Sequence, residues 1–462
     1  MSLTTIIYLG FLAVTVILFY LLPKRWNNRI LLLASMGFYA YAMPDKLLIM
    51  ILYVWMIFGL GLLMKKRKGR TKGIVVMGCL LSIGLLFVFK YLNFTLSFFT
   101  GESKTISLIA PIGISYITFQ CISYLVDVHK KKCPIVKNPV MFFLYAFFFA
   151  KVTAGPIESP HEFFLEIKDR KTLQWENVTR GLSFIGLGFV KKLVLADMLA
   201  AGVNHVYARA VDFDGGSVAL AAVMYSLQIY FDFSGYTDIA RGSALLFQIH
   251  LLENFKHPYL SSTVVEFWKR WHISLTDWLK KYIYIPLGGS RVGTARRYLN
   301  VFIVFLVSGI WHGAALTFLV WGILHGLFQM LEMLFAPVFG KMRQHTFGKI
   351  LGTVKTFIFV TFAWIFFRAD SLSNAVDIIK TIFTPWKGIG TVLDNCMLTP
   401  QILILMAVAL IFLELLQLRL SKEKEIKTAE TLVYTTGAAW LVTLSLLFAV
   451  TVSSNSFIYF NF

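Results

Sequence analysis

Charge is what this sequence has least of. Only 15% of its 462 residues are Asp, Glu, Lys or Arg, while 57% are hydrophobic and 16% aromatic. A soluble globular chain has about 25% charged and ~45–50% apolar residues, so this composition excludes one and leaves an integral membrane protein. Acids are scarcer than bases, 24 against 44, and no membrane-embedded series of carboxylates is present to couple ion transport. Cysteine is scarce too. Cys79, Cys121, Cys133 and Cys396 show neither CxxC nor metal-ligand spacing, which excludes a disulfide framework and a zinc site. There is no repeat of 20–50 residues, no low-complexity tract and no Pro/Ser-rich linker, so the chain reads as a single membrane domain over 1–462.

What fills the sequence is a run of apolar segments. A spanning helix needs ~20 predominantly apolar residues, because an unpaired backbone group in hydrocarbon is costly. Candidate segments lie near 4–22, 30–43, 46–64, 74–97, 106–127, 139–154, 181–200, 216–231, 301–317, 318–336, 354–367, 398–418 and 433–452. Several are short or broken by Gly and Pro, so about ten to twelve crossings are expected, the rest being re-entrant or buried. No Lys or Arg precedes the first segment and no small-residue cleavage site follows it; it is expected to stay as an anchor.

The net charge of +20 lies between the segments. Basic residues gather at 23–29, 65–73, 129–137, 280–297, 340–345 and 421–427, while the intervening "MPDK" and "FTGESKT" are poor in them. The positive-inside rule places the basic loops in the cytoplasm and the N-terminus outside. No basic soluble domain is long enough to bind nucleic acid. "PLGGSRVGTARR" has neither GxGxxG nor GxxxxGK[ST] and is not a nucleotide fingerprint.

Between the 216–231 and 301–317 segments lies a polar break in which residues 264–285 interleave Trp, Tyr and Phe with Lys and Arg. That mixture suits amphipathic segments at the headgroup level. Beyond it, "GIWHGAALTFLVWGILHG" (309–326) has no acid, Lys or Arg but carries His312 and His325. If the helix enters near Val301, His312 lies about 17 Å in, near the middle of a ~30 Å core. A polar group there is a functional hypothesis by default; close helix packing beside Gly313, Ala314 and Ala315 is the structural alternative. Neutral imidazole, with a pKa of ~6.5, suits removal of a hydroxyl proton.

"EFWKRWHISLTDWLKKYIYIPLGG" followed by "GIWHGAALTFLVWGILHG" resembles the membrane-bound O-acyltransferases, and most closely their alginate O-acetylation branch. "APIGISYITFQCISYLVDV", "TAGPIESP", "GLGFVKKLVLAD", "YSLQIYFDFSGYTDIARG" and "ENFKHPYLSS" match that branch in the same order. The resemblance covers residues 5 to 370, with the family core at 105–370 and two further spans within 398–452. It implies an all-α polytopic membrane fold with re-entrant and interfacial helices around a central tunnel. It also implies catalysis by His312, with His272 as the second family position, where Asn, Asp or His is usual. A thioester donor would enter from the cytoplasm and the acceptor from outside. His272 would orient the donor or stabilise the developing oxyanion, the alternative being a structural histidine.

Around these, Trp311, Gln228, Asp232 and His325 are the substrate-binding candidates, with helix packing as the alternative for His325. Asp238 and Arg241 have the i,i+3 spacing of a helical ion pair. Lys280, Lys281, Arg291, Arg296 and Arg297 suit the phosphates of coenzyme A, although positive-inside topology alone would also produce that cluster. The expected donor is acetyl-CoA, with a carrier-bound acyl phosphopantetheine as the alternative and no metal. The expected activity is O-acetylation of an extracellular or cell-wall polysaccharide from a bacterial cytoplasmic membrane. No GDS-type serine motif is present on the chain, which implies an extracytoplasmic serine (SGNH-like) acetyltransferase as partner or a polysaccharide acceptor, in contact with membrane lipids. Carrier-dependent D-alanyl transfer, and a transporter or flippase of a glycan or acyl carrier, are the competing classes.

Overall fold

A computed structural model describes residues 2–67, 71–100, 106, 108–168, 172–336, 340, 345–420, 428–451 and 458. The basic stretches 68–70, 341–344 and 421–427, and residues 101–105 of "FTGESKT", lie outside the described residues. The described chain is helical throughout, and its only strand-like feature is the isolated bridge between Phe255 and Trp271. Each of the candidate apolar segments overlaps a helix.

The chain packs as two compact units that interleave along the sequence. The first comprises residues 1–186, 236–252 and 425–440. It holds α1 (Ile6–Leu21), α2 (Asn27–Ala42), α3 (Pro44–Lys66), α4 (Lys72–Leu86), α5 (Leu92–Thr100), α6 (Ile114–His129), α7 (Pro139–Phe147), α8 (Pro160–Lys168) and most of α9 (Trp175–Phe189). Its interior is aromatic: Phe149 meets the rings of Phe11 and Phe38 at 5.1 and 6.3 Å, and the Tyr8 hydroxyl donates to Ser243 at 2.7 Å. The fully buried ammonium of Lys151 lies over the rings of Tyr145 and Phe163, at 4.5 and 4.2 Å.

The second unit comprises 187–235, 253–424 and 441–462. It holds α10 (Asp197–Ala208), most of α11 (Gly215–Leu245), α12 (Val264–Arg270), α13 (Ile273–Leu279), α14 (Thr294–His312), α15 (Leu316–Leu334), α16 (Thr346–Arg368), α17 (Leu372–Ile382), α18 (Ile389–Asn395) and α19 (Pro400–Leu420). The last helix, α20 (Thr428–Thr451), is shared between the units along its length.

By length and apolarity alone, five described helices can cross a bilayer: 44–66, 72–97, 215–245, 316–334 and 346–368. A sixth is the pair 389–395 and 400–411, bent by 76°. The other apolar segments are divided into shorter pieces. α1 has 16 residues, α9 passes into α10 through a seven-residue π-helical stretch at 190–196, and α14 opens on the polar "TARRYLN".

α14 and α15 pack on each other more extensively than any other described helix pair. They run antiparallel, and glycines set their separation. A Cβ on Gly322 would lie 2.5 Å from the carbonyl oxygen of Phe305, and one on Gly309 would collide with the carbonyl oxygen of Phe318. Two backbones meet where side chains are missing, as small-residue helix pairs do in membranes. His312 therefore ends its helix at the tip of a hairpin. It does not lie partway along a continuing span, because the backbone turns extended at Gly313 (φ −171°, ψ 160°). Replacing Gly322 by Val should open the hairpin and lower stability by about 1–3 kcal/mol. Thermal unfolding of the purified protein in detergent measures this; a variant melting with the parent would show that the contact does not set the helix spacing.

Candidate active site

The aromatic and basic stretch folds into two short helices with His272 between them. α12 begins at a Thr-x-x-Glu signal: the Thr263 hydroxyl accepts from Glu266 N–H at 2.9 Å, and the Glu266 carboxylate reaches back to Ser262 N–H at 2.9 Å. That is close to a capping box. A second carboxylate, Glu332 of α15, accepts from Val264 N–H at 2.8 Å and pairs with Lys355 of α16. The chain leaves α12 at Arg270, whose carbonyl accepts from Lys256 N–H at 2.9 Å. It then enters α13 with Ile273 N–H and Ser274 N–H on the main-chain and side-chain oxygens of Asn254, at 3.1 and 3.2 Å.

Between these anchors His272 is left-handed, at φ 43° and ψ 54°. Among non-glycine residues, Asn, Asp and His are enriched several-fold in that region. The side chain is 1% exposed, and neither ring nitrogen has a hydrogen-bond partner in the structure. It packs edge-on against Phe233 at 4.8 Å, with the Trp311 ring at 6.5 Å. Burial in this apolar setting pushes the His272 pKa down to about 3, so at neutral pH the ring is neutral and retains one N–H to donate.

His312, 4% exposed, meets three aromatic rings: Trp311 at 4.9 Å, Trp321 at 5.0 Å and Phe367 at 5.2 Å. His325, fully buried, meets Trp321 from its own position on α15 at 4.9 Å and accepts from the Trp268 indole N–H at its Nδ1, at 3.2 Å. The three histidines thus form one alternating series within the second unit, His272, Trp311, His312, Trp321, His325.

The other candidates separate. Gln228 is buried on α11 with its side-chain oxygen unpartnered. Asp232, one turn further along, is held by Lys192 at 2.9 Å and accepts from Ile458 N–H at 2.8 Å; Lys192 also pairs with Asp197 at 2.8 Å. Asp238 and Arg241 form their i,i+3 pair at 3.8 Å, and both belong to the first unit. Lys280, Arg291, Arg296 and Arg297 are exposed. Arg296 and Arg297 lie in the first turn of α14, toward the opposite end of its 19 residues from His312, about 23 Å away along the axis. Sequence reasoning missed Trp268, Glu332, Lys355 and Asn254. A readable signal existed only for the α12 cap that precedes Trp268, the Thr263 to Glu266 spacing.

The model of the membrane-bound O-acyltransferase family, MBOAT, matches residues 31–372. The probable alginate O-acetylase AlgI of Pseudomonas aeruginosa is 34% identical over 394 residues, covering 81% of this chain and 73% of that protein. The peptidoglycan O-acetyltransferase of Helicobacter pylori is also 34% identical over 394 residues, covering 78% and 73%. The teichoic acid D-alanyltransferase of Bacillus subtilis is 24% identical over 390 residues, covering 78% and 95%.

The depressed His272 pKa has a consequence for stability. In the unfolded chain this ring binds a proton below ~6.5, whereas in the folded protein it does so only near 3. The unfolded state therefore holds the extra proton between these values, and stability should fall as pH is lowered through that window. His272→Asn tolerates the same backbone and does not titrate. Melting temperatures in detergent from pH 7 to 4.5 should fall less steeply for this variant; parallel curves would show that His272 is not buried neutral.

Proposed function

Because this chain belongs to the membrane-bound O-acyltransferase family, we propose that it transfers an acetyl group from a cytoplasmic thioester to a hydroxyl outside the membrane. The product is O-acetylation of an extracellular or cell-wall polysaccharide. The chain is a multi-pass membrane O-acyltransferase. Its 34% identical relatives bear names that describe acetyl transfer to alginate and to peptidoglycan. They are bacterial, which supports a bacterial cytoplasmic membrane as its location.

The observation that carries the reading is Trp311, whose ring lies 4.9 Å from His312 and 6.5 Å from His272. It gathers two buried imidazoles at one hairpin tip, while the basic residues that suit a donor's phosphates lie at the far end of α14. In this reading His312 is the general base. The acceptor hydroxyl oxygen bonds to the thioester carbonyl carbon as its proton passes to the His312 imidazole. The carbonyl becomes an oxyanion, the C–S bond then breaks, and the leaving thiolate takes up the proton. His272 is buried in the neutral form. Its neutral N–H suits donation to the oxyanion, where a placed donor contributes several kcal/mol. Trp311, Gln228 and His325 bind substrate, and the Lys192 pair holds Asp232 as part of the wall. An extracytoplasmic serine transferase carries the acetyl group onward to the polysaccharide.

A second donor has one observation in its favour, the 24% identity over 78% of this chain to a teichoic acid D-alanyltransferase. In that case the thioester would arrive on a carrier's phosphopantetheine arm, and the alkaline groups of α14 would meet a protein surface.

His312→Ala should lower turnover of acetyl-CoA with acceptor by at least about 10²-fold while the protein melts as the parent does. Undiminished turnover would remove His312 from the chemistry. For the donor, acetyl-CoA binding should weaken as salt rises and weaken severalfold when Arg296 and Arg297 are both replaced by Gln. Salt-insensitive binding, or turnover only of an acylated carrier protein, would favour the carrier.

A further inference from the structure

The histidine furthest from the hairpin tip has its hydrogen-bonding state set by a neighbour. An indole N–H can only donate, so the 3.2 Å bond from Trp268 Nε1 makes His325 Nδ1 an acceptor. The neutral ring must then carry its proton on Nε2. That Nε2 is buried and has no partner in the structure. Trp321, Trp364, Phe305 and Phe328 surround the ring, at 4.9, 6.2, 6.0 and 6.3 Å. A buried donor without an acceptor is costly, which points to a ligand that supplies one. Among rings that carry no charge, the fitting acceptor is a neutral carbonyl oxygen, because an anion placed there would lack a counter-charge.

Position narrows which carbonyl. α15 leads back from the tip, and His325 lies nine residues past its first residue, Leu316, about 14 Å along the axis. It thus stands between His312 and the exposed basic end of α14. A thioester with its acyl carbon at His312 and its phosphates at Arg296 and Arg297 must trail its linking arm along this helix pair. A pantetheine arm carries two amide groups beyond the sulfur.

We propose that His325, fixed in one tautomer by Trp268, donates its Nε2–H to an amide carbonyl of the donor's pantetheine arm. His325 is then a donor-binding residue and Trp268 a positioning residue. The inference rests on the reading of a thioester donor entering from the basic side. It applies equally to coenzyme A and to a carrier-bound arm, because both contain the same amides.

Two small thioesters test it on the purified full-length protein. S-acetyl-N-acetylcysteamine keeps the amide nearest the sulfur, and S-acetylbutanethiol has none; release of free thiol is measured for both and for acetyl-CoA. His325→Phe should lower kcat/KM about fivefold for acetyl-CoA and the amide-bearing thioester, through KM, and leave the amide-free thioester within about twofold. His325→Gln keeps an N–H at similar reach and should recover most of the loss, while Trp268→Phe should fall between. Equal losses on both small thioesters would overturn the amide assignment, leaving the thioester carbonyl or general damage to the site. No loss on any donor would overturn the role itself while the donor reading stood. If the parent protein turned over none of the three and no acylated carrier protein either, the donor reading would fail, and this inference with it.

Discussion

The Glu332 carboxylate ties three helices to one another. It sits on α15, receives the first N–H of α12 and pairs with Lys355 of α16. A carboxylate at a helix N-terminus is favoured by the helix dipole, and here it also satisfies a backbone donor that would be costly to bury alone. What depends on it is the direction of α12. That short helix carries Trp268 toward His325 and delivers the chain to His272. Because α15 is also one arm of the hairpin that ends at His312, one group relates the positions of all three histidines. A buried ion pair is weak evidence for stability in itself; its use here is to hold a register.

The same logic governs the opposite wall of the unit. Gly235 of α11 comes so close to the π-helical stretch that a Cβ there would lie 2.8 Å from the carbonyl oxygen of Gly188 and 3.0 Å from Lys192 N. That approach brings Asp232 to Lys192. The lysine faces two carboxylates, Asp197 and Asp232, and a backbone N–H shares the load on Asp232. Lys192, Asp197 and Asp232 are thus matched with one another, while the histidine series is surrounded by rings.

Much of this was legible in the sequence. The apolar segments marked the helices, and the pairing of "KRWH" with "WHG" marked His272 and His312. Their convergence was not legible, because forty residues separate them and the link is the Trp311 ring. His312 was read into the middle of a helix because apolar character continues through Gly313 to Ala315, and hydropathy does not register a break made by extended backbone. Lys192 lies inside the 181–200 segment; its pairing five residues on, with Asp197, follows from a π-helical turn that has no signature in hydrophobic periodicity. Trp268 looked like an interfacial anchor. An indole that anchors in lipid and one that donates to an imidazole have the same sequence signal, and only packing separates them.

The burial of the histidines also bears on timing. With His272, His312 and His325 all below 5% exposure, rings such as Trp311 and Trp321 stand between the imidazoles and bulk solvent. In the proposed reaction a reactant would have to pass such rings, and ring or lid movements of this kind often limit turnover in place of bond-making. A surround of aromatic side chains also excludes bulk water, which in the proposed reaction would guard the acyl donor against hydrolysis in place of transfer.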